Sequence, residues 1–129
     1  MAKIDSKYNI ETHRGDMLSF NIKTNNTVDG SPYVFQKGEV IRFKIMEAKN
    51  CKNVVLKKDV VVSDSTENVP LTIASEEMKI GDIINKPVDY WYEIELNPDT
   101  PSCVTILGYT KATGPRILTL TPEGDDKQW

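Results

Sequence analysis

Hydrophobic residues recur at every second position in three stretches of this chain. Leu18, Phe20 and Ile22 alternate with polar residues in the first stretch, and the same rhythm runs through residues 41–45 and 90–96. Successive side chains of a β-strand point to opposite faces, so this period places one row in a core and the other toward water or a partner. The pattern therefore predicts half-buried strands rather than helices.

Short apolar runs rich in β-branched residues predict further strands, at residues 54–56, 60–62, 104–107 and 117–120. Asp29-Gly30 predicts a hairpin turn before the segment 31–36, because glycine accepts a positive φ without steric cost. Pro70 lies within another apolar run and has no N–H to donate, so we expect its strand to lie at a sheet edge.

The strands and turns together predict an all-β fold. About seven to nine short strands, separated by turns, are typical of an antiparallel β-sandwich. One short helical turn is expected near residues 75–80, where Ser75 suits the start and Gly81 the exit. We expect a single domain over residues 1–129, with an N-terminal arm at 1–13 and a flexible tail at 123–129.

Composition narrows the classes of function. The chain has 129 residues and a formal net charge of −3, so it lacks the broad positive field that sequence-independent nucleic-acid binding requires. No apolar run has the length of a signal-peptide core or of a membrane helix. We therefore expect a chain that is made in the cytoplasm and has no nucleic-acid or membrane partner.

The residues that usually carry catalysis are few. His13 is the only histidine, which excludes paired-histidine chemistry, and no glycine loop precedes a helix to hold phosphate. Cys51 and Cys103 are expected to be reduced and partly buried, with a Cys51–Cys103 bridge between two packed sheets as the alternative. A Cys–His pair has little support, because His13 falls in the expected arm. We predict no metal, no cofactor and no enzymatic activity.

Aromatic and acidic residues of one strand are the strongest candidates for a binding surface. If Tyr90 and Tyr92 point inward, Trp91 points outward between acidic neighbours, where it can stack on a sugar or anchor a protein interface. The alternative is that a loop or the N-terminal arm covers Trp91. Glu93 and Glu95 share its face and fit a solvated surface better than a catalytic carboxylate pair. We therefore expect a protein interface formed by Trp91, Glu93, Glu95 and the edge around Pro70.

The tripeptide Arg14-Gly15-Asp16 matches an adhesion signal, but its position favours a structural role. It runs directly into the alternating strand at Leu18 instead of sitting at the tip of a long loop. Gly15 supplies a sharp bend, and Asp16 can bond to nearby backbone amides. We interpret Arg14, Gly15 and Asp16 as a turn that starts a strand.

Three segments, "HRGDMLSFNI", "DGSPYVFQKGEVIRFKIME" and "DYWYEIEL", resemble a family of small phage-tail domains. These are the N-terminal, immunoglobulin-like domains of baseplate upper proteins and related prophage proteins of Gram-positive hosts. The resemblance covers roughly residues 14–122, and it implies an immunoglobulin-like sandwich with an assembly or adaptor role. The positions that carry it are Arg14, Gly15, Asp16, Phe20, Asp29, Gly30, Tyr33, Gly38, Phe43, Tyr90, Tyr92 and Glu93.

The first hypothesis is therefore a non-enzymatic structural component of a phage tail, a prophage baseplate or a phage-derived particle. Its expected partners are other particle proteins, and self-association is expected because such assemblies are symmetric. A carbohydrate-binding β-sandwich module is the alternative, since Trp91 and its tyrosine neighbours allow sugar stacking. A small hydrolase that uses scattered carboxylates ranks last.

Overall fold

The fold consists of β-strands and the turns that connect them. The computed structural model describes residues 3–5, 8–26, 28–82, 84–112 and 114–122, so the tail expected at 123–129 lies outside the described residues. These ranges contain no helix long and apolar enough to cross a membrane. Their strands are β1 (Lys3–Ile4), β2 (Ile10–His13), β3 (Leu18–Ile22), β4 (Val40–Glu47), β5 (Val54–Val61), β6 (Val69–Ile73), β7 (Val88–Leu96), β8 (Val104–Leu107) and β9 (Arg116–Thr121).

The strands form two sheets that pack face to face. The large sheet has the order β1-β2-β9-β7-β4-β5, and β8 pairs with the C-terminal part of β7, beyond the end of β9. The small sheet pairs β3 with β6. The predicted all-β class is confirmed, and the two packed sheets are those of a β-sandwich. Immunoglobulin-like topology stays a prediction.

The N-terminal strands correct two expectations. Residues 10–13 do not belong to a detached arm, because β2 pairs with β9 and places Ile10 opposite Leu118 and Thr12 opposite Leu120. Ile10 and Thr12 are only 3% and 2% exposed, so burial and backbone pairing together hold this segment on the sheet. The β2–β9 pair is parallel, which makes the large sheet mixed rather than purely antiparallel.

One cluster of buried side chains fills the space between the sheets. On the large sheet its members occupy the alternate positions that the sequence pattern predicts, and Ile41, Phe43 and Ile45 are fully buried. On the small sheet the inward side chains of β3 and β6 cover them. The ring of Phe20 meets the ring of Phe43 edge-on, with centroids 5.4 Å apart. Apolar burial on one face of each sheet therefore fixes the register of both.

The helical turn expected near residues 75–80 is a hydrogen-bonded turn over residues 75–78 and not a helix. The N–H of Met78 donates to the carbonyls of Ala74 and Ser75 at 3.2 and 3.1 Å. So few bonds do not offset the entropy of extending a helix, and the turn ends after a single cycle. The side chain of Met78 is fully buried and joins the core cluster.

The hairpin predicted at Asp29-Gly30 forms only as a turn. Gly30 has the positive φ that the prediction requires, at 74°. The segment after it contributes isolated bridges at Pro32 and Phe35 instead of a strand. Backbone bonds flank the Pro32 bridge on both sides, from the N–H of Asn26 to the Ser31 carbonyl and from the N–H of Tyr33 to the Thr24 carbonyl. The pairing stays short because Phe35 bonds to Thr66 instead.

Tyr92 of β7 is the buried titratable group of the core. Its side chain is 3% exposed, its ring centroid lies 5.4 Å from that of Phe43, and its hydroxyl donates to the backbone carbonyl of Tyr8. Burial raises the pKa of Tyr92 from its ordinary value of 10 to about 12. The folded state therefore binds the phenol proton more tightly than the unfolded state does.

This shift predicts a loss of stability at high pH. Stabilisation from neutral Tyr92 is complete below pH 10 and is lost as the pH rises toward 12, at up to about 1.4 kcal/mol per pH unit. We expect Tyr92→Phe to lose about 1 kcal/mol less free energy of unfolding than the wild type between pH 9 and pH 11. Urea denaturation at both pH values measures this difference, and equal losses in the two proteins would contradict it.

Candidate functional site

The outer face of the large sheet, which points away from the small sheet, carries three of the predicted interface residues. Trp91, Glu93 and Glu95 occupy alternate positions of β7, and all three are half-buried. The intervening side chains of Tyr92 and Ile94 point into the core. The structure thus places the tryptophan and the two glutamates on one surface, as the period of two predicts.

Trp91 is the centre of an apolar row that crosses three strands. It lies opposite Met46 of β4 on one side and opposite Ile117 of β9 on the other. Met46 is 6% exposed although it lies outside the main core cluster, whereas Trp91 and Ile117 are half-buried. We call Met46, Trp91 and Ile117 the outer apolar row. The sequence pattern does not identify Met46 and Ile117 as part of this surface, because only the strand order makes them neighbours of Trp91.

A lysine holds the two glutamates of the outer face. The Nζ of Lys44 lies 2.8 Å from Glu93 Oε1 and 3.4 Å from Glu95 Oε1, and Lys44 stands opposite Glu93 across β4 and β7. Desolvation lowers the pKa of Lys44, but the two carboxylates outweigh it, so the net pKa is raised. One ammonium therefore contacts both carboxylates, and the cluster keeps one negative charge in excess. The arrangement is a cross-strand ion cluster and not an acid–base pair.

A second ion cluster lies further along the same face. Arg42 Nε is 2.8 Å from Asp59 Oδ1, and Arg42 Nη1 is 2.9 Å from Asp99 Oδ2. The hydrogen bond to Asp59 raises the pKa of Arg42 despite partial desolvation, and Arg42 in turn lowers the pKa of the Asp59 carboxyl. Each of the two clusters combines one cation with two carboxylates. Together they form a charged border beside the outer apolar row, which is the usual anatomy of a protein interface.

Pro70 lies on a different surface from Trp91. It stands opposite Asn21 in the small sheet, and because β6 pairs only with β3 among the described strands, the predicted edge position is confirmed. A shallow groove of ≈ 160 Å³ lies beside it, lined by residues 60–64, Thr66, Val69 and Pro70. The predicted interface residues therefore divide into two separate surfaces.

Arg14 of the Arg-Gly-Asp tripeptide is buried, at 7% exposure. Its Nε donates to the carbonyl of Ile80 at 2.9 Å, and its Nη2 donates to those of Lys79 and Gly81 at 3.2 and 2.7 Å. These carbonyls follow the 75–78 turn and point in one direction, as they do at the end of a helix. The guanidinium thus caps them and fixes the segment 74–81 to the start of β3.

The rest of the tripeptide forms the turn between β2 and β3. Gly15 has a φ of 88°, which glycine adopts without strain, and its N–H donates to the Met78 carbonyl at 3.1 Å. Asp16 contributes its backbone N–H, which donates to the His13 carbonyl at 3.1 Å. Because the Arg14 side chain faces inward, the tripeptide does not present the exposed guanidinium of an adhesion loop.

The histidine and the thiols occupy structural positions. His13 Nδ1 lies 2.6 Å from Thr121 Oγ1 and 3.2 Å from the carbonyl of Pro122, at the end of the β2–β9 pair. Cys51 and Cys103 are free and exposed, so the expectation of partly buried thiols is wrong, and the alternative bridge is not formed. Desolvation and the nearby carboxylate of Glu95 raise the pKa of the Cys103 thiol, which disfavours the reactive thiolate.

Another concave surface of the described residues is an open cleft at the side of the sandwich. It has a volume of ≈ 470 Å³, and aromatic and aliphatic side chains of both sheets line it, among them Tyr8, Phe20, Tyr92 and Leu107. Within the described ranges no three His, Cys, Asp or Glu residues are grouped so that they could bind a metal ion. No family model, curated protein or solved structure matches the chain.

The buried arginine generates a prediction about stability. Arg14→Met should lower the free energy of unfolding by about 2 kcal/mol, because it leaves the carbonyls of the 74–81 segment without their charged donor. Arg14→Lys should recover only part of this loss, since one ammonium does not match the fork of the guanidinium. Urea denaturation measures both variants.

Lys111→Met is the matched control, because Lys111 is exposed and distant from the turn in sequence. It should leave the free energy of unfolding within about 0.5 kcal/mol of the wild type. If Arg14→Met is as stable as this control, the proposed cap contributes nothing.

Proposed function

We propose that this chain is a non-enzymatic structural component of a phage tail, a baseplate or a phage-derived particle, and that it acts through protein–protein contacts. The observation that carries the proposal is the outer apolar row, with Trp91 at its centre and ion clusters beside it. A large aromatic side chain among apolar neighbours, bordered by charges, is the arrangement that anchors protein interfaces.

The assignment to a phage particle rests on the sequence resemblance to the N-terminal domains of baseplate upper proteins. The segments that carry it include residues 90–96, the strand that holds Trp91. Under this proposal the chain is made in the cytoplasm and then enters the particle. Its partners are other tail or baseplate proteins, and its topology is of the immunoglobulin-like kind.

The chemistry of the outer face favours binding over catalysis. Lys44 forms ion pairs with the carboxylates of Glu93 and Glu95, and the raised pKa of Cys103 keeps its thiol protonated at neutral pH. None of these groups is placed as a nucleophile beside a base. Paired charges at a rim instead supply orientation and selectivity for a partner of matching charge.

The carbohydrate-binding alternative has less support on this surface. Sugar stacking needs an open aromatic face, but Trp91 is half-buried between Met46 and Ile117. A glycan array separates the two functions, because a sugar-binding module should bind at least one class of glycan through Trp91, whereas a structural component should bind none.

The location of the chain tests the proposal directly. We expect mass spectrometry of purified phage or phage-like particles to detect the chain together with tail proteins at a fixed stoichiometry. Particles that lack the chain, with the chain recovered as free protein from the same lysate, would overturn the assignment.

Trp91→Ala tests the surface. If Trp91 anchors the interface, its truncation should weaken binding to the particle partner by about thirtyfold, which corresponds to a loss of about 2 kcal/mol. Tyr109→Ala is the matched control, because Tyr109 is a largely exposed aromatic residue outside β7. Quantitative cross-linking in assembled particles compares the two variants, and equal incorporation would exclude the outer apolar row as the interface.

A further inference from the structure

The β5 strand forms one long edge of the large sheet. It has eight residues and pairs only with β4 among the described strands. Edge strands expose a row of backbone donors and acceptors that can pair with another strand. Two valines of this strand are also exposed, Val61 at 63% and Val54 at 40%. The outward backbone groups of β5 and these two valines are thus uncovered among the described residues, whereas Val55, Leu56 and Val60 pack against the core.

Charges on β5 restrict what can pair with it. Lys57 and Asp59 lie opposite Lys44 and Arg42 of β4 and so share the outer face. Asp59 belongs to a cluster in which Arg42 faces two carboxylates, which leaves one negative charge in excess. Lys57 makes no salt bridge with any described residue, and its neighbour across the strands, Lys44, carries the same charge. Each edge therefore presents a lysine without a described salt bridge two positions from an aspartate of a negatively charged cluster.

The spacing of Lys57 and Asp59 fits a second copy of the chain as the strand that pairs with the β5 edge. In an antiparallel pair of identical strands, a two-fold axis through Lys58 places Lys57 opposite Asp59 of the second copy, and symmetry repeats the contact. An axis through Lys57 or Asp59 instead opposes like charges. An axis between two residues would oppose inner to outer positions and break the continuity of the sheet faces.

The same register also matches the inner face of the strand. It places Leu56 opposite Val60 of the second copy, and both side chains pack toward the core side of the sheet. Lys58 meets its own copy at the axis, but its Nζ is 3.2 Å from Glu77 Oε1, so each copy compensates this charge internally.

From these observations we infer that two copies of the chain pair through antiparallel β5 edges, in the register centred on Lys58, and join their large sheets into one. The inference does not rest on the role in a particle, because it uses the backbone edge of β5, which adjoins the outer apolar row only through Val54 beside Met46 and through Asp59 in the charged border. Failure of the self-pairing test leaves the proposed function in place.

Exchange of charges tests the register. Lys57→Glu places Glu opposite Asp59, and Asp59→Lys places Lys opposite Lys57, so each variant alone should dimerise at least about tenfold more weakly than the wild type. An equimolar mixture of the two variants restores opposite charges at both contacts and should recover the dimer. Sedimentation velocity over a dilution series measures dimerisation of the wild type, of each variant and of the mixture. Lys111→Glu is the control for Lys57→Glu, because both substitutions change the charge by the same amount. Wild-type dimerisation should also weaken as the salt concentration rises.

A cross-link gives a second measurement that does not depend on the Arg42–Asp59 contact. In a Cys51→Ser/Cys103→Ser background, Lys58→Cys places identical thiols opposite each other at the axis, and mild oxidation should yield a covalent dimer. Lys111→Cys in the same background should not. A wild-type chain that stays monomeric at every concentration overturns the inference. So does a Lys57→Glu variant that dimerises as well as the wild type, or a Lys58→Cys variant that cross-links no better than its control.

Discussion

Burial of alternate side chains of β7 is the constraint on which the rest of the structure depends. This strand pairs with β4 on one side and with β9 and β8 on the other, so its register fixes the positions of three neighbours. Its inward residues Tyr92, Ile94 and Leu96 are buried in the core. A slip of one position would exchange them for Trp91 and two glutamates, at a large cost in desolvation. The composition of the outer face is therefore a consequence of which residues the core accepts.

The alternation of apolar and polar residues predicts those strands in which one face is buried in the core. The alternating stretches became β3, β4 and β7, because each carries a full row of apolar side chains toward one interior. The parallel pairing of β2 with β9 left no comparable signal, since Ile10 and Thr12 form a short row and their partners lie at the other end of the chain. Residues 31–36 show the opposite error, because Pro32 pairs with Asn25 and Phe35 with Thr66, so the segment is divided between two partners instead of forming one ladder.

The sequence predicts which β7 residues of the candidate site share a face, but not which residues of the neighbouring strands surround them. A period of two places Trp91, Glu93 and Glu95 on one face, whereas strand order decides that Met46 and Ile117 flank the tryptophan. For Arg14 the sequence indicates a turn, but the burial of its side chain depends on where the 74–81 segment docks. The exposed thiols follow from their polar flanking loops, a local signal that outweighs the average tendency of cysteine to be buried.

The two ends of the large sheet differ in a way that limits any assembly built on it. One end is β1, two residues long, and the other is β5, with eight. An inward-facing charge such as Lys58 ordinarily guards an edge strand against pairing, but here Glu77 neutralises it within the same chain. Lys58 therefore limits the register in which two β5 strands can pair, but it does not prevent the pairing. A two-fold contact uses the β5 edge of both copies, and the short β1 and β8 strands, of two and four residues, offer little ladder for further strands. Pairing at β5 thus closes on itself, and the outer apolar row stays free for a different partner.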